Sequence, residues 1–172
     1  GGIFMKQYLH YFRIFLIITG VLLIVFITLK LSVKQQVFVR MNDQTLTAER
    51  VFDYGDKLTE SEEESLRKLI AETEPKIGCD IVLVTLNESL KEQADLDRGY
   101  EAPIWDYVMI YADNFYDQNI YGYNKPYGDG AIFVDNWFRE ADGYQYYWFS
   151  TSGKVMGRYS DEMIDHMNQV IV

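Results

Sequence analysis

Three aspartates and one hydroxyl-rich segment are the candidates in this sequence for a polar or metal-binding site. Asp80 opens a long apolar stretch, and Asp129 lies between two glycines at the start of another. Asp117 lies in the segment that connects these stretches. The hydroxyl-rich segment consists of Ser150, Thr151, Ser152, Gly153 and Lys154. Carboxylates that lie close together repel each other unless a cation or a proton is present, so a shared edge would favour a cation site.

The surrounding pattern predicts two parallel strands and a hairpin. Asp80–Leu86 is almost continuously apolar, which is typical of a central strand in a parallel sheet. A helix that begins at Pro103 leads to a second strand, Gly130–Trp137, and a crossover of this kind makes the two strands parallel. A glycine-containing turn then predicts an antiparallel partner strand at Tyr144–Phe149.

This topology brings the polar residues to one edge of the sheet. Asp80 and Asp129 lie at the starts of parallel strands, and the connecting helix returns to the same edge with Asp117. The hairpin ends there with Ser150–Lys154, beside a last helix predicted from Ser160, whose free backbone amides favour an anion such as phosphate. Because the ligands are oxygen atoms without a His or Cys set, Ca²⁺ or Mg²⁺ is the expected cation.

Each of these residues also has a purely structural interpretation. Asp129 between glycines is a good turn residue, and Asp80 could cap backbone amides. The hydroxyls of Ser150, Thr151 and Ser152 could satisfy amides of their own loop. The single cysteine, Cys79, begins the apolar run and is expected to be a small core residue rather than a nucleophile.

The remaining pattern predicts an α/β fold, a three-layer α/β/α sandwich with a mixed central sheet. A first helix begins near Thr59, which forms a capping box with Glu62, and it ends near Pro75 and Gly78. Its predicted buried face comprises Leu66, Leu69, Ile70, Thr73 and Ile77. Residues 89–102 are predicted to be a polar connection.

A transmembrane helix is predicted before this domain. Ile14–Leu29 contains no charged residue and would span about 24 Å as a helix, and the flanking residues extend it to the thickness of a bilayer core. No small-x-small cleavage site comes after it, which argues against a cleaved signal peptide. The sequence therefore divides into a tail (1–11), an anchor (12–31), a linker (32–50) and a domain (51–172) that is expected to continue beyond the last residue.

Charge excludes one class of partner. Five of the 16 Lys and Arg residues lie in residues 1–40, which contain no Asp or Glu, so residues 41–172 carry 11 basic and 26 acidic side chains. A domain with this charge repels nucleic acid. Because an N-terminal signal anchor usually exports the domain behind it, we expect a single-pass protein of the cell membrane with an extracytoplasmic domain.

Several segments, taken in order, resemble the TPM domain, a family named after a thylakoid lumen protein, a photosystem repair protein and a receptor-accessory protein. The resemblance covers about Val51 to the end of the chain. It rests on Val51-Phe52-Asp53-Tyr54, Leu58-Thr59 with Glu62, Gly78 with Asp80-Ile81-Val82, Tyr111-Ala112-Asp113-Asn114-Phe115-Tyr116-Asp117, Gly128-Asp129-Gly130, and Ser150-Thr151-Ser152-Gly153-Lys154. It implies an α/β/α sandwich in a membrane-anchored or exported protein, with Asp80, Asp129 and Asp117 as the positions for a metal.

Three functions arise as hypotheses. The first is an accessory or scaffold module that binds a membrane-protein complex and is steadied by a divalent cation. The second, implied by phosphatase members of the family, is a metal-assisted phosphomonoesterase in which Asp80 and Asp129 hold the cation and Ser150–Lys154 hold phosphate. The third is binding of cell-wall glycan by Tyr121, Tyr123, Tyr127 and Trp137.

Overall fold

A computed structural model of the chain describes residues 37–156. Within this range the protein has an α/β fold with a mixed four-stranded sheet and three α-helices. The elements in chain order are β1 (Val51–Asp53), α1 (Glu60–Ile77), β2 (Asp80–Leu86), α2 (Lys91–Arg98), α3 (Tyr107–Gln118), β3 (Gly130–Asn136) and β4 (Tyr146–Ser152), with single 3₁₀ turns at Ile104–Asp106 and Gly153–Val155.

The sheet has the order β1-β2-β3-β4. The pairs β1/β2 and β2/β3 are parallel, and β4 runs antiparallel to β3. Asp80 lies opposite Gly130 across one pair, and Gly130 lies opposite Ser152 across the next. The predicted crossover and hairpin are therefore confirmed, and the starts of β2 and β3 share an edge with the end of β4.

The main core lies between α3 and the sheet. It joins alternate residues of β2 and β3, such as Val84 and Ile132, to Val108, Ala112 and Tyr116 of α3. Alternate strand residues point to the same face of a sheet, which explains why every second residue enters this core. The helix predicted from Pro103 is confirmed, with its first turn in 3₁₀ geometry.

Helix α1 begins and ends as its sequence predicts, but it buries a narrower face. Thr59 and Glu62 form the capping box, and Gly78 ends the helix with a φ of 66°. Leu69 and Ile77, predicted to be buried, are exposed, because α1 contacts the sheet mainly through β1 and β2 at one side. Its two buried residues are Ile70 and Glu74.

Helix α2 occupies the segment predicted to be a polar connection. It lacks a broad apolar face, because apart from the buried Ala94 and the exposed Leu96 all of its residues are polar or charged. Leu90 and Ala94 enter the main core, and Lys91 pairs with Asp95 one turn later at 2.5 Å. Burial of Leu90 and Ala94, together with the ion pair of Arg98 with Asp106 and a hydrogen bond from Asn114 to Asp97, holds this helix on the domain.

Residues 37–50, predicted to be a linker, pack along the domain and form no helix or strand. The backbone N–H of Phe38 donates to the carbonyl of Pro75 at 2.7 Å, and that of Met41 donates to the carbonyl of Tyr123 at 3.0 Å. The Asn42 side chain donates to the carbonyl of Ile120 at 2.8 Å. The folded unit thus includes residues 37–50.

Among residues 37–156, no helix is long and apolar enough to cross a membrane. The anchor predicted at 12–31 and the last helix predicted from Ser160 lie outside the described residues, as do both histidines, His10 and His166.

Candidate functional site

Asp80 is fully buried, and both oxygens of its carboxylate contact protein donors. Arg40 forms a bidentate pair with it: Nη2 lies 2.5 Å from Oδ1, and Nη1 lies 3.1 Å from Oδ2. The backbone N–H of Gly122 donates to Oδ2 at 2.9 Å. The first residue of β2 therefore holds a carboxylate that is engaged within the protein.

Glu74, in the last turn of α1, is the second carboxylate of the same cluster. It accepts hydrogen bonds from Arg40 Nη2 and from Arg50 Nε, each at 2.8 Å, and from the backbone N–H of Ile81 at 3.0 Å. Arg50 Nη2 lies 3.8 Å from Asp80 Oδ1. We call these four residues, Arg40, Arg50, Glu74 and Asp80, the ion-pair cluster.

The ion-pair cluster is balanced in charge. Two guanidinium groups face two carboxylates, and each arginine also lies over an aromatic ring, Arg40 at 4.8 Å from Tyr123 and Arg50 at 5.0 Å from Tyr121. Burial alone would lower the pKa of Arg40, but its hydrogen bonds and charge interactions with Asp80 and Glu74 raise that pKa above its ordinary value. Arg40 stays charged, so the negative charge of the cluster is already neutralised by protein groups.

Asp129 lies next to the ion-pair cluster but turns its side chain toward the end of β4. Its Oδ1 accepts the backbone N–H of Lys154 at 2.8 Å, and its Oδ2 lies 3.5 Å from Lys154 Nζ. Its carbonyl accepts the N–H groups of Asp80 and Tyr123 at 3.1 and 2.9 Å. Asp129 thereby fastens the starts of β2 and β3 to the turn after β4.

A cleft of about 360 Å³ opens beside Asp129. Lys76 and Lys154 supply its positive charge, Asp129 is its single carboxylate, and Asn124 contributes an amide. The remaining walls are largely apolar and comprise Phe38, Val39, Met41, Ile77, Gly78, Cys79, Tyr123 and Val155. We call this the lysine cleft.

Asp117 lines a different cleft, of about 190 Å³, between α3 and β4. Asp113 and the hydroxyls of Ser150, Thr151 and Ser152 line it too, and Ser150 Oγ donates to Asp113 Oδ1 at 2.6 Å. Burial raises the pKa of Asp117, and the neighbouring charge of Asp113 raises it further. We call this the hydroxyl cleft; it shares no lining residue with the lysine cleft.

The residues predicted to form one site are thus distributed over three places. Asp80 belongs to the ion-pair cluster, Asp129 and Lys154 line the lysine cleft, and Asp117 lines the hydroxyl cleft with Ser150–Ser152. Gly153, with a φ of 65°, forms the turn that separates Ser152 from Lys154. Within residues 37–156, no three His, Cys, Asp or Glu side chains converge in a way that could hold a metal, and the cation site stays a prediction.

Sequence reasoning missed the other three members of the ion-pair cluster. Glu74 comes four residues after Ile70 and therefore shares the buried face of α1, an unusual position for a carboxylate. A charged residue on a predicted core face signals a buried partner of opposite charge. The partners Arg40 and Arg50 lie 34 and 24 residues away along the chain, so spacing does not identify them.

Burial bears on two further sequence hypotheses, which concern Cys79 and the aromatic residues predicted to bind glycan. Burial, with the nearby carboxylates, raises the pKa of the Cys79 thiol to about 12, which leaves it protonated at neutral pH. Of the four aromatic residues predicted for glycan, Tyr121 and Tyr123 are buried and donate their hydroxyls to backbone carbonyls. The exposed pair, Tyr127 and Trp137, lie before and after β3, a strand's length apart.

Comparison with protein-family models, curated proteins and solved structures finds no match to this chain. The resemblance to the TPM domain therefore stays a prediction, and the function is argued from the contacts of the described residues.

The ion-pair cluster predicts a large stability effect at Asp80. Asp80→Asn removes one of two carboxylates and leaves two largely buried guanidinium groups with Glu74 alone, so we expect a loss of about 3–5 kcal/mol in the free energy of unfolding. Urea unfolding would measure it. The matched control is Asp56→Asn, at an exposed residue with a φ of 52° that asparagine tolerates, where we expect a change within about 0.5 kcal/mol. Equal effects of the two substitutions would contradict the assignment of Asp80 to an ion pair.

The predicted cation can be tested through the two clefts. Asp80 and Asp129 have ion-pair partners, whereas Asp117 has none among the contacts found in residues 37–156. We therefore expect Ca²⁺ to bind at Asp117 and to raise the melting temperature of the protein. Asp117→Asn should abolish the rise, whereas Asp129→Asn should keep it because Lys154 already neutralises Asp129. The raised pKa of Asp117 means that the response should fade as the pH falls through that pKa. A response lost in Asp129→Asn and kept in Asp117→Asn would place the cation in the lysine cleft instead.

Proposed function

We propose that this protein is a membrane-anchored accessory or scaffold module. Its α/β domain, completed as a three-layer α/β/α sandwich, lies outside the cytoplasm and binds a partner protein at the membrane. A divalent cation, where one binds, steadies the fold. The observation that carries the proposal is a group of large exposed side chains on and after α2.

Three large apolar or aromatic side chains lie exposed within ten residues of each other. Leu96 is 70% exposed, Tyr100 is 60% exposed and Trp105 is 68% exposed. Tryptophan and tyrosine are the residue types that contribute most to protein interfaces, and exposed groups of this kind mark interaction sites. Leu96 and Tyr100 line one cleft, and Trp105 follows five residues further along the chain; we call these three residues the aromatic patch.

Their surroundings favour a partner with a basic segment. Residues 91–106 contain five acidic side chains and two basic ones. The basic residues are already paired: Lys91 with Asp95 and Glu101, and Arg98 with Asp106. Glu92 and Asp97 therefore contribute unneutralised negative charge beside the aromatic patch. A partner that offers Lys or Arg around an apolar contact would complement both features.

The contacts in the candidate site favour this role over phosphomonoester hydrolysis. The phosphatase hypothesis needs Asp80 and Asp129 to share a cation, but these carboxylates contact Arg40 and Lys154 instead. It also needs Ser150–Lys154 to act as one phosphate cradle, whereas the hydroxyls and Lys154 line separate clefts. The phosphatase hypothesis stays a prediction without a supporting contact.

The test compares the aromatic patch with a matched exposed tyrosine. A photo-activatable residue in place of Tyr100 should crosslink the full chain to a specific partner in native membranes. Trp105→Ala should reduce that crosslink strongly, because it removes the largest side chain of the patch. Tyr144→Ala, at a residue that is 68% exposed on the hairpin turn, should leave it unchanged. Equal crosslinking of the Trp105→Ala and Tyr144→Ala variants would contradict the proposal. The absence of any crosslink from position 100 when Trp105 and Tyr144 are both present would contradict it as well.

A further inference from the structure

We propose that the apolar segment beside the lysine cleft rests on the membrane surface, with Lys76 and Lys154 against anionic lipid headgroups. The inference rests on the proposed function, because it needs the anchor predicted at 12–31. It adds a contact surface and an orientation, because side chains of the domain contact the bilayer and the domain is not held by its linker alone.

The first observation is an alternation of side-chain direction in the segment 37–42, in which Phe38, at 40% exposure, is only partly covered by the domain. Val37, Val39 and Met41 are 65%, 80% and 70% exposed. The alternate residues turn toward the domain, where Phe38 lies against Gly78, Arg40 pairs with Asp80 and Glu74, and Asn42 donates to Ile120. In an extended chain, successive side chains point to opposite sides. The outward side of this segment is therefore entirely apolar, although nothing in the described domain covers it.

Neighbouring residues continue the same surface. Ile77, the last residue of α1, is 49% exposed and lines the lysine cleft together with Val39 and Met41. Met156, just beyond Val155 of that cleft, is also exposed. A contiguous exposed apolar surface of this kind marks an interaction site, and aliphatic side chains of moderate size are suited to the boundary between headgroups and acyl chains.

The charge of this surface is opposite to that of the rest of the domain. Residues 37–156 carry 11 basic and 23 acidic side chains. The lysine cleft nevertheless has two lysines, Lys76 and Lys154, and one buried carboxylate, Asp129, which pairs with Lys154, so the charge of the cleft is net positive. Lys125 is exposed in the loop directly after Asn124 of the cleft. Lysines around an apolar surface are the pattern that anionic headgroups attract.

The length of chain available limits how far this surface can lie from the bilayer. The predicted anchor ends at residue 31, and the backbone N–H of Phe38 is bonded to Pro75 of the domain. The six residues between them reach at most about 20 Å when fully extended. The first apolar side chain of the surface, Val37, comes at the end of this short connection. The predicted anchor therefore keeps this side of the domain close to the bilayer, and we assign the lipid surface as the partner that covers it.

Val39 and Leu96 make a matched pair for testing the contact. Each would be replaced by cysteine in the full chain and labelled with a small environment-sensitive fluorophore. The native Cys79 stays unlabelled because it is buried and its pKa is about 12. The labelled chains are reconstituted into vesicles of phosphatidylcholine and phosphatidylglycerol that contain a doxyl-labelled quencher lipid. We expect loss of fluorescence at Val39→Cys and none at Leu96→Cys, which is exposed but belongs to the aromatic patch.

The outcomes separate this inference from the proposed function. Chains that fail to float with the vesicles lack the anchor, which overturns both. Chains that float but keep full fluorescence at Val39→Cys overturn the membrane contact alone. Fluorescence that shifts only when the protein is concentrated would assign the surface to a second copy of the chain, which also overturns it. Quenching that weakens in Lys76→Glu with Lys154→Glu, or in vesicles of phosphatidylcholine alone, would support the headgroup contact.

Discussion

The ion-pair cluster holds the entering segment, residues 37–50, onto helix α1 and strand β2. A buried charge is stable only when it is paired, and here two arginines from the entering segment are paired with carboxylates from α1 and β2. If Arg40 and Arg50 moved away into water, the buried carboxylates of Glu74 and Asp80 would remain in the interior without charged partners. The segment 37–50 is therefore part of the fold, although it forms no helix and no strand before β1.

This constraint explains the two faces of the same segment. Because Arg40 must point inward, Val39 and Met41 must point outward, and the entering chain presents an apolar surface beside the lysine cleft. The same ion pairs occupy both carboxylate oxygens of Asp80. The edge of the sheet where β2 and β3 start therefore binds the entering segment. Neither the hydroxyl cleft nor the aromatic patch includes a residue of the ion-pair cluster.

The regular elements of the main core could be predicted from sequence, because each carries a local signal. The apolar run after Asp80 marks β2, the periodic apolar residues after Pro103 mark α3, and the capping box at Thr59 marks the start of α1. Helix α2 could not be predicted because Ala94 is its single buried residue, so it has no periodic apolar face. The sequence placed Asp80 and Asp129 of the candidate site at the correct edge of the sheet. Its partners could not be predicted, since side-chain pairing over 24 to 40 residues leaves no periodic trace.

Native-state hydrogen exchange of the full chain tests most directly whether the entering segment opens only together with the sheet. The backbone N–H of Met41 is bonded to the carbonyl of Tyr123, whereas Val134 lies in β3, opposite Val84 of β2 and Trp148 of β4. If the ion-pair cluster couples the entering segment to the sheet, the amides of Met41 and Val134 should exchange with a similar opening free energy, close to that of global unfolding. Exchange of Met41 near the rate of an unstructured peptide, with Val134 still protected, would contradict this coupling and return residues 37–50 to the status of a linker.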